Sequence, residues 1–127
     1  MRAKKNDKID NKIPTEYLTL DGVAAMCRAF KHGGEKYDDY NYYKGHTVNQ
    51  LLAACIRHVL QYKDGEDTDG ESGVSHIGHA MASLAMLEKQ KALGTLIDDR
   101  YKGGLEYEGV EYATDLSTVL NKLDSGT

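Results

Sequence analysis

Apolar residues recur at helical spacing in three stretches of the chain. In LTLDGVAAMCRAFKHGGEKY, residues 18–37, Val23, Met26, Cys27 and Phe30 fall three or four apart. That period predicts an amphipathic helix. Asp21 is its expected N-cap. Gly33-Gly34 is expected to end or loosen it. In VNQLLAACIRHVLQYKD, residues 48–64, Val48, Leu51, Leu52, Cys55, Ile56 and Val59 share one broad arc. Thr47 is placed to cap this second helix. His58 lies at the edge of the arc, and Arg57 points to the far side. The third stretch, SHIGHAMASLAMLEKQKALGTL, begins near Ser75 and carries no charge from Ala80 to Leu87. A helix apolar all round is buried, so this one is predicted to be central or covered by a second subunit.

The rest of the pattern is weaker. LEYEGVEYA alternates around Glu108-Gly109 and predicts a small β-hairpin. Asp115 can cap a short final helix, LSTVLNKL. The fold class that follows is mostly α: a compact bundle of three main helices, a short C-terminal helix and a small β-hairpin. Residues 1–14 read as a disordered basic tail ending at Pro14, the only proline, and 15–127 as a single helical domain.

Composition narrows the function classes. A chain of 127 residues can bury one real core. A net charge of −4 disfavours a surface that coats nucleic acid. It leaves open a nucleotide held through metal ions, which would bring their own positive charge. No apolar run is long enough for a membrane span, and the N-terminus lacks the apolar stretch of a secretory signal. Cys27 and Cys55 lie inside apolar helical patterns and read as buried free thiols in a cytoplasmic protein.

Charge is most concentrated in DGEDTDGESGVSHIGHA, residues 64–80. Asp64, Glu66, Asp67, Asp69 and Glu71 precede His76 and His79, which share one helix edge at i, i+3. If the second and third helices pack antiparallel, His58 joins them, and the acidic loop closes the same corner. Two readings stand. One is a metal or catalytic centre. The other is a solvated loop beside imidazoles that serve a structural network, in a non-catalytic binding module. The spacing fits neither a calcium loop nor a closed structural zinc site. No His-Asp dipeptide, HExxH, phosphate loop or nucleophile elbow is present. Carboxylates with imidazoles suit Mn²⁺ or Mg²⁺.

A second cluster is GGEKYDDYNYYKG, residues 33–45. Glu35 is a candidate base. Lys36 and Lys44, with Arg57, are candidate phosphate contacts. Tyr37, Tyr40, Tyr42 and Tyr43 offer flat faces to a base, or simply pack the connection between helices.

Gly33…Lys36-Tyr37, Asn41-Tyr42…Gly45, Arg57-His58-Val59 and Gly65-Glu66-Asp67…Asp69…Glu71-Ser72-Gly73…His76-Ile77-Gly78-His79-Ala80 together resemble a phage-associated family, the N-terminal domain of dATP/dGTP diphosphohydrolases. The resemblance runs over residues 20–92. It implies removal of pyrophosphate from purine deoxynucleoside triphosphates. It also implies kinship of function with MazG-like nucleotide pyrophosphohydrolases, although the paired E-x-x-E and E-x-x-D motifs of those enzymes are missing here. The metal ligands expected from the corner and the pattern are Glu66, Asp67, Glu71, His76, His79 and His58. Glu35 and Glu71 are the expected catalytic carboxylates. Lys36, Tyr37, Asn41, Tyr42, Lys44 and Arg57 are the expected substrate contacts. The departures from the pattern, an extra residue between Tyr37 and Asn41, Asp38 for a glycine and Tyr42 for a tryptophan, fall on the nucleobase side. The expected partners are the nucleotide and further copies of the chain, as a dimer or tetramer.

Overall fold

The computed structural model describes residues 11–102. The predicted hairpin and final helix lie outside the described residues, as do residues 1–10 of the tail. Among the described residues the regular elements are helical: α1 (Leu20–Lys36), α2 (Val48–Lys63) and α3 (His76–Leu93), with short 3₁₀ turns at Thr15–Tyr17 and Asn41–Lys44. No helix of the described residues is long and apolar enough to cross a membrane.

Local chemistry sets most helix ends. The Thr47 hydroxyl accepts from the Gln50 N–H while Gln50 returns a bond to the Thr47 N–H, a reciprocal capping box. The Ser75 hydroxyl caps α3 through the Gly78 N–H. At α1 the cap is Thr19, not Asp21 as its position suggested. Thr19 has extended backbone and accepts from Gly22, whereas Asp21 already lies in the first turn, where its charge suits the helix dipole.

α1 also runs through Gly33-Gly34 to Lys36 rather than ending there. Two glycines cost a helix about 1 kcal/mol each, so packing carries this last turn. α3 is the centre of the bundle and packs on both α1 and α2. Gly78 makes the α1 contact possible, because a Cβ there would collide with the Ala25 carbonyl.

α2 and α3 run antiparallel: His58 near the end of α2 meets His76 at the start of α3. At the opposite end of the bundle, the chain after α3 returns to the start of α2, with Val48 N–H donating to the Ile97 carbonyl.

The core is narrower than the apolar arcs implied. Val48, Leu51 and Cys55 of α2 are buried, but Ile56 and Val59 are 55% and 50% exposed. On α3, Ala80 and Ala82 are buried while Leu84 is 47% exposed, so the charge-free stretch is not enclosed on all sides. α1 and α2 each meet α3, but between them they cover only part of its surface and of their own arcs. Both cysteines are free, yet Cys27 is exposed and only Cys55 is buried.

Candidate metal centre

The acidic loop is folded, not free. Glu66 N–H donates to the Gln61 carbonyl, His76 N–H to the Asp67 carbonyl and Asp69 N–H to the Val74 carbonyl. Asp69 then accepts from the Ser72 N–H at 2.9 Å. The Ser72 hydroxyl accepts from the Val74 N–H and lies 2.7 Å from His79 Nε2. These bonds hold the loop over the first turn of α3.

Underneath lies His76, completely buried. Its Nε2 is 2.7 Å from Glu66 Oε1. A carboxylate only accepts, so Nε2 carries the proton and Nδ1 keeps its lone pair. That lone pair faces His58 Nδ1 at 2.9 Å. His58 in turn stacks on His79, with ring centroids 4.6 Å apart, and His32 of α1 meets His79 edge-on.

His58, Asp69 and His76 each offer one ligand atom, and these atoms lie within 4.8 Å of one another. Two imidazole nitrogens with a carboxylate oxygen are a donor set that would suit a divalent ion such as Mn²⁺. Glu66 then occupies the place of the carboxylate that orients a ligating imidazole from its far side.

The ionisable groups are shifted accordingly. Burial lowers the His58 pKa below its ordinary 6.5, with His79 and His76 adding to it. Burial also lowers His79, helped by His32 and His76 and opposed by Asp69. Burial pushes Asp69 up, but the two Ser72 hydrogen bonds and the nearby imidazoles leave it below its usual range. Below pH 6.5 the unfolded chain therefore binds more protons than the folded one. Stability is fully present above that value and falls as the pH drops. For metal-free protein the melting temperature is expected to be lower at about pH 5 than at about pH 7.5. A scan showing an acid-stabilised protein would contradict this burial.

Two cavities adjoin the histidines. The polar one, ≈ 300 Å³, has Lys36, Arg57, His58, Asp69, Glu71 and His79 in its walls. Lys36 and Glu71 form a 2.9 Å ion pair, which raises the Lys36 pKa and lowers that of Glu71. The apolar one, ≈ 240 Å³, includes Phe30, Tyr42, Leu51, Ala54 and Met86. The two linings share Gly33, Tyr37, Ser83 and Met86, so the cavities are neighbours.

The structure thus gathers His58, Glu71, His79, Lys36 and Arg57 around the polar cavity, with His76 behind His58 and Glu66 behind His76, and Tyr37, Asn41 and Tyr42 around the apolar one. Arg57 lines the cavity rather than the far side of α2. Glu35, Lys44 and Asp67 are exposed and lie outside both linings; Asp67 contributes its backbone carbonyl. Sequence reasoning left Asp69 out of the expected ligand set, although its carboxylate lies beside ligand atoms of His58 and His76, and it overlooked His32 as a neighbour of His79. The i, i+4 spacing of His32 and Lys36 was the available signal, hidden by the expectation that α1 stops at Gly33.

The family profile described as "dATP/dGTP diphosphohydrolase, N-terminal" matches residues 2–100, and so takes in all three helices and every residue above. The chain belongs to this family. Among curated proteins, the dATP/dGTP diphosphohydrolase of Salmonella phage PMBT28 is 30% identical over 76 residues, which is 60% of this chain and 26% of that relative. The chain therefore corresponds to only a minor part of the relative's length. No solved structure matches it.

Proposed function

We propose that the chain binds a purine deoxynucleoside triphosphate along the neighbouring cavities and hydrolyses it to monophosphate and pyrophosphate. The observation that supports this best is the His58–Asp69–His76 group beside a cavity that also carries Lys36 and Arg57. A divalent ion, Mn²⁺ or Mg²⁺, held by those three residues would neutralise charge developing on the phosphates. Glu66 keeps His76 turned so that Nδ1 faces His58. Lys36 and Arg57 meet the phosphate oxygens. Phosphate at Lys36 competes with Glu71, and the released carboxylate takes the proton of a water that attacks the α-phosphorus. The bond to the bridging oxygen breaks, and pyrophosphate leaves with the electron pair. Tyr37, Asn41 and Tyr42 surround the base. Glu35, Asp67 and Lys44, exposed and outside both linings, take no part in this reading. Homo-oligomerisation belongs to it as well, because α2 leaves Ile56, Val59 and Leu60 exposed.

One observation favours a second reading: the matched stretch is 26% of the relative. The chain would then be an accessory module, and its histidine–carboxylate network structural. The test is incubation with dATP or dGTP and Mn²⁺, read by pyrophosphate release, alongside calorimetry with Mn²⁺ alone. Ion binding with turnover is the expected result. Neither pyrophosphate release nor bound ion, with a melting temperature indifferent to chelator, would establish the structural network instead.

A further inference from the structure

The apolar cavity has a wall whose hydrogen-bonding sense is fixed from behind. Gln90 of α3 is completely buried. Its Oε1 accepts from the His46 backbone N–H at 2.8 Å. Its Nε2 donates to the Tyr42 carbonyl at 2.8 Å. The amide cannot be turned round, since that would set N–H against N–H and oxygen against oxygen. The remaining Nε2 hydrogen points at His46 Nδ1, also 2.8 Å away. His46 Nδ1 is therefore an acceptor, and the neutral imidazole carries its proton on Nε2. His46 lines the apolar cavity, so the polar atom it has left for a ligand is an N–H donor.

Asp39, in the same cavity wall, has the opposite character. It follows the C-terminal end of α1, where the helix dipole disfavours a carboxylate. No hydrogen bond or ion pair engages its carboxylate among the described residues, and no lysine or arginine lines this cavity. It packs directly on Gly34, where any side chain would collide with Asp39 Oδ1. Asp39 is exposed in the cavity wall, so its carboxylate is open to accept hydrogen bonds from a ligand.

Purines differ in just this respect. Guanine presents the O6 acceptor beside the N1–H and 2-amino donors. Adenine presents a 6-amino donor beside an N1 acceptor. We propose that His46 and Asp39 read the base and select guanine over adenine, His46 Nε2–H meeting O6 and Asp39 meeting N1–H and the 2-amino group. Adenine sets donor against donor at His46 and acceptor against acceptor at Asp39. This assignment rests on the nucleotide reading above.

The test is calorimetric titration of the full chain with dGTP, dITP and dATP in the presence of Mn²⁺. dGTP is expected to bind about tenfold to a hundredfold more tightly than dATP. dITP, which lacks the 2-amino group, is expected to fall between them. Asp39→Asn weakens dGTP far more than dATP and brings their ratio towards one. Gly34→Ala, which displaces Asp39 without altering its charge, acts in the same direction. Equal or inverted affinities in the parent protein, or an unchanged ratio in Asp39→Asn, overturn the base assignment and leave nucleotide binding standing. Absence of binding by all three nucleotides overturns both.

Discussion

His76→Ala is expected to abolish divalent-ion binding and to lower the melting temperature by about 12–24 °C. The imidazole is completely buried and bridges His58 and Glu66. Its removal leaves a cavity in the interior and two polar partners without their bond, together about 3 kcal/mol. For a domain of about 100 residues each kcal/mol moves the melting temperature by about 4–8 °C. Thermal melts with and without Mn²⁺ check both halves. Glu66→Gln separates ion binding from folding. The amide still reaches Nε2 but orients the ring less firmly, so the fold persists while ion affinity drops about 10- to 100-fold. A His76→Ala protein that binds Mn²⁺ as well as its parent would remove His76 from the ligand set.

Gly78→Ala is expected to destabilise the chain by up to about 2 kcal/mol, although alanine is the better helix former. In an isolated helix the change gains about 1 kcal/mol. Here the new Cβ meets the backbone of Ala25, which belongs to α1 and cannot move alone. The helices must part, and overpacking of this kind costs about 1–3 kcal/mol or more. Gly33→Ala is the matching control, because nothing lies within 4 Å of a Cβ there. It should leave the melting temperature unchanged or raise it. Denaturant midpoints of the two variants measure the contrast, and a stabilised Gly78→Ala would show that α1 and α3 do not approach so closely.

The same contrast separates what could be read from residues and what could not. Thr47 was legible as a cap because a cap is made by groups two or three residues away; Ser75 was read only as the place where the third helix begins, and its hydroxyl proves to be the cap. Thr19 was displaced in the reading by Asp21, since both residue types cap and only the backbone conformation decides between them. The apolar arc of α2 placed His58 correctly at the edge of the interior. Periodicity does not say how wide a neighbour is, so Ile56 and Val59 remained in the arc although half their surface meets water.

At the candidate site, His58, His76 and His79 converged in the reading because a short connection forces antiparallel helices to meet at their joined ends. The division of labour among the carboxylates was not legible. Glu66 and Asp69 both belong to one acidic loop. One holds the back of His76, and the other stands among the ligand atoms. That difference arises from the fold of the loop, where the Asp69 and His76 amides bond to Val74 and Asp67.

By itself the sequence determined three helices, the Thr47 cap, the family and the corner at which imidazoles and carboxylates gather. Each of these depends on residues near one another in the chain or on a pattern carried by residue type. Only the tertiary structure decided that α1 continues past Gly33-Gly34, that Arg57 faces a cavity and that Gln90 orients His46. Each of those depends on a partner tens of residues away, or on the space one helix leaves beside another. Distances of that kind are set when α1 and α2 close on α3.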